Sequence, residues 1–120
     1  MTFMPINYVY AAVEPTREHV DALPGVTVVE FGAPWCGFCH STQPLLAQAL
    51  FDHPNVRHLK IEDARGKRLG RSYRVKLWPT LVFLLDGREL ARLVRPSDTK
   101  AIRDALAQIT KPLHVQRHAG

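Results

Sequence analysis

Hydrophobic residues recur along the chain with a period that changes between segments, and the short runs among them predict strands. Two mainly apolar runs, VTVVEF and TLVFLL, are typical of buried strands. A third run, VRHLKI, alternates apolar and polar residues and indicates a strand with one exposed face. The Asp86-Gly87 pair predicts a tight hairpin. The five predicted strands cover residues 6–13, 26–31, 56–61, 80–85 and 88–94.

Segments with apolar residues three and four positions apart predict helices. The most extended begins at Cys36 and ends near Phe51, and Pro44 should kink it because proline has no amide hydrogen. Ser97 is expected to cap the last helix. The predicted helices cover residues 16–23, 36–51, 64–73 and 97–109. Early strands that alternate with helices, followed by a hairpin and a closing helix, indicate an α/β fold with a central mixed sheet and helices on both faces.

Length and composition fit one globular domain. The 120 residues are 46% hydrophobic and 22% charged, which suffices for a core. We expect a single domain over residues 1–109 and a flexible polar tail over 110–120. No apolar stretch approaches the ~20 residues of a membrane helix, and no basic region opens the N-terminus, so the expected location is the cytoplasm. The net charge of +5 accompanies no nucleic-acid-binding motif, so we expect neither nucleic acid nor a membrane as a partner.

The two cysteines, Cys36 and Cys39, are the main candidates for chemistry. A disulfide between them would close too small a loop to stabilise the fold much, so the pair is expected to be reactive. Cys36 should lie at a helix N-terminus, where free amide groups and the helix dipole stabilise a thiolate. Three alternatives remain open: a structural zinc site that includes His40, haem attachment through the C-x-x-C-H pattern, and two unreactive packing residues.

The segment VVEFGAPWCGFCH at 28–40 resembles the active-site segment of thioredoxins and protein disulfide isomerase domains. Trp35 matches the tryptophan before the first cysteine, and Pro44 matches the proline within the active-site helix. Trp78-Pro79-Thr80 matches the loop that contains a cis proline, and Asp86-Gly87 matches the hairpin that follows. The resemblance covers roughly residues 7–109 and implies the thioredoxin fold, with Pro79 in cis against the cysteine pair.

The resemblance also implies which residues carry the chemistry. Cys36 is the expected nucleophile, Cys39 the resolving cysteine, and Glu30 a buried acid beneath Cys39 that helps to deprotonate it. Because a carboxylate inside a strand is costly to desolvate, burial is expected to raise the pKa of Glu30. Backbone groups of Trp78 are expected to pair with an incoming peptide. The residues expected to bind substrate are Trp35, Gly37, Phe38, Trp78, Pro79 and Arg95. We expect no metal or other cofactor.

Some positions depart from the family pattern. Phe38 replaces a proline or histidine, which should make the pair less strongly reducing than in thioredoxins. His40 replaces a lysine and, if protonated, adds positive potential near the thiolate; otherwise it is an exposed helix residue. Arg95 replaces a glycine that lets substrate come close. It either favours an acidic partner or glutathione, or it is a solvated arginine. Trp78 is larger than the usual residue and narrows the same substrate-binding groove.

Six cations form a basic cluster: Arg65, Lys67, Arg68, Arg71, Arg74 and Lys76. This cluster is either a solvated helix face or a docking patch for an acidic partner.

These features predict a thiol–disulfide oxidoreductase, with a cytoplasmic reductase as the first hypothesis. A disulfide oxidase or isomerase is the second hypothesis within this class, and a non-catalytic binding or chaperone-like module is the alternative outside it. The expected partners are protein or small-molecule disulfides, together with a reductase or glutathione as electron donor. The expected form is a monomer.

Overall fold

The structure, a computed structural model, describes residues 6–110. The elements in chain order are α1 (Arg17–Asp21), β1 (Val26–Gly32), α2 (Gly37–Leu50), β2 (Arg57–Glu62), α3 (Arg68–Ser72), β3 (Thr80–Leu85), β4 (Arg88–Val94) and α4 (Thr99–Thr110). Apart from Thr110, which ends α4, the predicted tail over 110–120 lies outside the described residues. Within the part of the chain described, no helix has the length and apolar character needed to cross a membrane.

The four strands form one mixed sheet, as predicted, and their order in the sheet is β2-β1-β3-β4. β1 and β2 are parallel, with Glu30 opposite Lys60, whereas β3 is antiparallel to both β1 and β4. Asp86 and Gly87 join β3 to β4 with φ values of 51° and 82°. Positive φ at both central residues is the requirement of a type I′ hairpin turn, which the Asp-Gly pair satisfies.

Helices cover both faces of the sheet because strand residues alternate between the faces. Val28 and Phe83 pack with residues of α2 and α4 on one face, and Val29 and Val82 pack with residues of α1 and α3 on the other. Glu30 follows the same alternation and points to the face of Val28, beneath the first turns of α2. The fold therefore directs this carboxylate towards the cysteine pair.

The predicted strand over residues 6–13 is wrong, because no strand forms there. The segment instead lies beside β2 and is held at separate points. The amide of Ala11 donates to the carbonyl of Lys60 at 2.9 Å, and the amide of Asn7 donates to Nδ1 of His58 at 2.6 Å. The second bond goes to a side chain, so a continuous backbone ladder does not develop.

Two predicted helix boundaries also differ from the structure. α3 covers Arg68–Ser72 instead of residues 64–73, because a turn closed by the amide of Lys67 and the carbonyl of Ala64 precedes it. Asp98, not Ser97, caps α4: its Oδ1 accepts a hydrogen bond from the amide of Ala101 at 2.8 Å. A cap side chain reaches the amide three residues ahead, and Asp98 is the residue at that spacing.

Candidate active site

The cysteine pair lies where β1 passes into α2. Cys36 is the N-cap of this helix, and its Sγ accepts a hydrogen bond from the amide of Cys39 at 3.1 Å. Both side chains are free thiols. Cys36 is half-buried, whereas Cys39 is only 2% exposed. Cys36 is therefore the accessible thiol of the pair, and Cys39 is shielded from solvent.

The surroundings of Cys39 oppose its ionisation. Burial raises the pKa of the Cys39 thiol to about 12, and the hydrogen bond with Cys36 and the negative charge of Glu30 act in the same direction. Cys39 is therefore a thiol at neutral pH.

Glu30 is the centre of a buried polar cluster. Its Oε1 accepts from Nε2 of His58 at 2.9 Å, and its Oε2 accepts from Nζ of Lys60 at 3.0 Å and from Nε2 of Gln43 at 2.6 Å. The side chains of Glu30 and His58 are wholly buried, and that of Lys60 is 6% exposed. Since Nδ1 of His58 accepts from the amide of Asn7, Nε2 is the nitrogen that donates to Glu30. Lys60 forms the buried ion pair with Glu30.

The expected raised pKa of Glu30 is wrong in direction. Burial acts to raise the pKa, but the hydrogen bond from His58 and the charge of Lys60 outweigh it, so the pKa of Glu30 lies below its ordinary value. Sequence reasoning missed these partners because β2 was predicted to expose its polar face. His58 and Lys60 are 3% and 6% exposed and lie beside β1 on the face of Glu30. Side chains alternate between the two faces of a strand, so the sequence already places His58 and Lys60 on the same face.

The loop that contains Pro79 contacts Trp35, the residue that precedes Cys36. The Trp78–Pro79 peptide bond is cis, and the indole of Trp78 donates to Oδ2 of Asp63 at 2.9 Å. Trp35 meets Trp78 edge to face, with ring centroids 6.2 Å apart. The structure brings the six predicted substrate-binding residues to this end of the sheet.

Arg95 connects this loop to the start of α2. Its Nε donates to the carbonyl of Trp78 at 2.8 Å, and its guanidinium lies 4.1 Å from the ring centroid of Phe38. The Trp78 carbonyl, which was expected to be available to a peptide, therefore already has a partner. Arg95 has a φ of 52°, a conformation that favours glycine, and its amide donates to the carbonyl of Pro79 at 2.9 Å.

A cavity of about 450 Å³ lies at the start of α2, and the buried Cys39 forms part of its wall. Its other lining residues include Tyr10, Gln43 and Lys60.

Nε2 of His40 lies 2.8 Å from the carbonyl of Pro34, to which it donates. Over residues 6–110, no three His, Cys, Asp or Glu side chains are grouped so that they would hold a metal ion.

Four members of the basic cluster line a separate groove of about 520 Å³, together with Asp63. These members are Lys67, Arg71, Arg74 and Lys76. Because Asp63 accepts the indole hydrogen bond of Trp78, this groove adjoins the loop that contains the cis proline.

Fold and site together define a thioredoxin-fold protein with a vicinal dithiol at a helix N-terminus. Residues 10–108 match the family model for Thioredoxin. The fold resembles the structure of thioredoxin 2 from Pseudomonas aeruginosa PAO1 in its reduced form, with a TM-score of 0.77 and 52% identity over 87% of this chain and 96% of that one. The chain therefore belongs to the thioredoxin family.

Curated relatives agree with this assignment. A thioredoxin of Chlamydia pneumoniae is 32% identical over 68% of this chain and 80% of its own length. Thioredoxin H-type 1 of Nicotiana tabacum is 38% identical over 58% of this chain, and the match spans 55% of the tobacco protein. A thioredoxin H-type of Ricinus communis is 36% identical, and the match spans 59% of its length. Members of the thioredoxin family are thiol–disulfide oxidoreductases.

Proposed function

We propose that this protein is a thiol–disulfide oxidoreductase that reduces disulfides through Cys36 and Cys39. The observation that carries the proposal is the difference between the two thiols: Cys36 is accessible at the N-cap of α2, and Cys39 is buried behind it. Membership of the thioredoxin family supports the same chemistry. The proposal includes a monomer that acts in the cytoplasm and maintains the redox state of cellular thiols, since dithiol reductases work where a reducing pool is present.

The reaction has two exchange steps. The Cys36 thiolate attacks one sulfur of a substrate disulfide, a mixed disulfide forms, and the other substrate sulfur leaves as a thiolate. Cys39 then loses its proton to water and attacks Cys36, which releases the second substrate thiolate and leaves a Cys36–Cys39 disulfide. Two electrons have passed to the substrate. A reductase or glutathione returns them by the reverse exchange.

In this reaction we assign Glu30 a positioning role. Both of its oxygens already accept hydrogen bonds, from three donors in all, and its pKa is lowered, so it is a weak proton acceptor. The carboxylate instead fixes Gln43 and Lys60 in the cavity wall beside Cys39. Its negative charge also contributes to the raised pKa of the Cys39 thiol.

The proposed substrate groove combines exposed aromatic surface with one cation. Trp35 and Phe38 are 68% and 56% exposed, and Arg95 lies against Phe38. A carboxylate beside the substrate disulfide would form an ion pair with Arg95, which would then release the Trp78 carbonyl. A backbone amide of the substrate could donate to this carbonyl in its place. Gly37 and Pro79 complete the proposed binding set. This arrangement favours disulfides flanked by acidic groups, a chemistry that peptides and glutathione share.

The reduction potential of the Cys36–Cys39 pair tests the proposed activity. The protein is equilibrated with mixtures of reduced and oxidised glutathione, and the Cys39→Ser variant serves as the control that cannot form the internal disulfide. A reversible two-electron couple near ~−270 mV supports a reductase. A couple near ~−120 mV would instead indicate a disulfide oxidase. The absence of any couple would overturn the enzymatic proposal in favour of a binding module.

Arg95→Ala tests the proposed substrate preference. We compare kcat/KM for two peptide disulfides that differ only in glutamate or lysine beside the cysteine. The native protein should prefer the acidic peptide, and the variant should lose most of that preference. Arg88→Ala is the matched control, because it removes the same charge from the exposed start of β4. An unchanged preference in Arg95→Ala would exclude the role assigned to Arg95.

A further inference from the structure

Tyr10 and Cys39 face each other across Gly32. A Cβ atom placed on Gly32 would lie 2.6 Å from Sγ of Cys39 and 3.1 Å from the hydroxyl of Tyr10. The sulfur and the hydroxyl thus border the same small space, which exists because residue 32 has no side chain. Both residues also line the cavity of about 450 Å³ at the start of α2.

The Tyr10 ring is held in place on its other side. Nζ of Lys60 lies 4.4 Å from the ring centroid, and the next amide in the chain, that of Ala11, donates to the carbonyl of Lys60. Lys60 is in turn fixed by Glu30. The buried ion pair therefore orients the phenol towards Cys39.

A hydrogen-bond donor at this position would stabilise the Cys39 thiolate in the proposed resolution step. Cys39 must become a thiolate, and burial opposes that change. Glu30 cannot stabilise an anion, since it is an anion itself. Burial also raises the pKa of Tyr10, as does the charge of Cys39, so the phenol keeps its proton and remains a donor.

We infer that Tyr10 is a further catalytic residue, whose hydroxyl donates a hydrogen bond to the sulfur of Cys39 as the thiolate forms. The proton of Cys39 passes to water in the cavity, where Oε1 of Gln43 is a buried acceptor without a partner among the described residues. The thiolate then attacks Cys36, the bond from Cys36 to the substrate breaks, and the substrate sulfur leaves with the electron pair. The inference rests on the proposed function.

Reaction with 5,5′-dithiobis(2-nitrobenzoate) separates the two steps. Attack by Cys36 releases one coloured thionitrobenzoate, and resolution by Cys39 releases a second from the mixed disulfide. In stopped-flow measurements on Tyr10→Phe, the second phase should slow about tenfold, as expected when one hydrogen bond to a charged group is lost. The first phase should keep its native rate.

Two variants act as controls. Tyr8→Phe removes a hydroxyl from another residue that lines the cavity but is 60% exposed, and it should leave both phases unchanged. Cys39→Ser should lack the second phase. If the second phase of Tyr10→Phe keeps its native rate, the role of Tyr10 is overturned but the proposed function is not. Equal slowing of both phases with a lowered melting temperature would also overturn that role, because it indicates a structural effect. The absence of a second phase in the native protein would overturn the proposed function as well.

Discussion

Replacement of Lys60 by methionine should destabilise the fold by about 3 kcal/mol at pH 7. Nζ of Lys60 lies 3.0 Å from Oε2 of Glu30, and the two side chains are 6% and 0% exposed. At an effective dielectric constant of about 20, two unit charges at this distance attract by roughly 5 kcal/mol, and desolvation of the ammonium group offsets part of this attraction.

The remaining contacts of Glu30 set the magnitude. Removal of one partner from a buried ion pair costs about 3–5 kcal/mol, because the other charge stays buried without compensation. In Lys60→Met, His58 and Gln43 still donate to the carboxylate, so we expect the lower end of this range. Methionine has a similar length and preserves most of the packing, which limits the contribution of a cavity.

The loss of stability should depend on pH. In the native protein the pKa of Glu30 lies below its ordinary value of 4.5. Glu30 therefore contributes stability that is present above pH 4.5 and is lost as the pH falls through the lowered pKa of the folded state. In Lys60→Met the positive charge that lowers the pKa of Glu30 is absent, so burial raises this pKa relative to the native protein. The pH-dependent contribution of Glu30 to stability is then smaller. The difference between native protein and variant should be largest near neutral pH and should narrow below pH 4.5.

Urea denaturation at neutral and acidic pH measures this difference. Lys100→Met is the matched control, since the Lys100–Asp104 pair has a similar distance of 2.9 Å but its side chains are 82% and 63% exposed. Its stability should stay unchanged. The double variant Glu30→Gln, Lys60→Met should be more stable than Lys60→Met, because it buries no charge. A decrease of less than about 1 kcal/mol in the free energy of unfolding of Lys60→Met would refute a strong buried ion pair. A double variant whose loss equals the sum of the two single losses would refute it as well.

Four further substitutions test local geometry by urea denaturation. Gly87→Ala should cost about 2 kcal/mol or more, because φ is 82° and the new Cβ would overlap the carbonyl of Asp21; an unchanged midpoint would contradict the turn. Gly32→Ala should cost about 1–3 kcal/mol and slow internal disulfide formation, because its Cβ would lie 2.6 Å from Sγ of Cys39; native kinetics would contradict this close approach. Asp98→Ala should cost about 1 kcal/mol and Ser97→Ala nothing, and the reverse order would restore Ser97 as the cap.

The parts of the fold that local chemistry determines were predictable from the sequence. β3 and β4 have the predicted bounds, because a buried apolar run and an Asp-Gly turn identify a hairpin without long-range information. The start of α2 was placed within one residue of its observed position, because a helix N-terminus was expected at Cys36. The two cysteines were found by their spacing at this helix start, and Glu30 was found because it interrupts an apolar strand.

The partners of the predicted residues could not be read locally. His58 and Lys60 appear as the polar positions of an ordinary half-exposed strand, and only their parallel pairing with β1 brings them beside Glu30. The resulting ion pair reverses the direction of the pKa shift that burial alone would give Glu30. The contact of Arg95 with Trp78 likewise joins residues that are distant in sequence.

The two sides of the cysteine pair differ in chemistry, and in the proposed reaction this difference separates substrate recognition from resolution of the mixed disulfide. The substrate side presents aromatic rings and Arg95 next to the accessible Cys36. The opposite side encloses Cys39 with Tyr10 and Lys60, and the buried ion pair orders that wall. Among the described residues, the hydrogen bonds and ring contacts of these two groups do not join one side to the other. Substitutions on the substrate side should therefore change which disulfide is attacked. Substitutions on the enclosed side should change how fast the mixed disulfide is released.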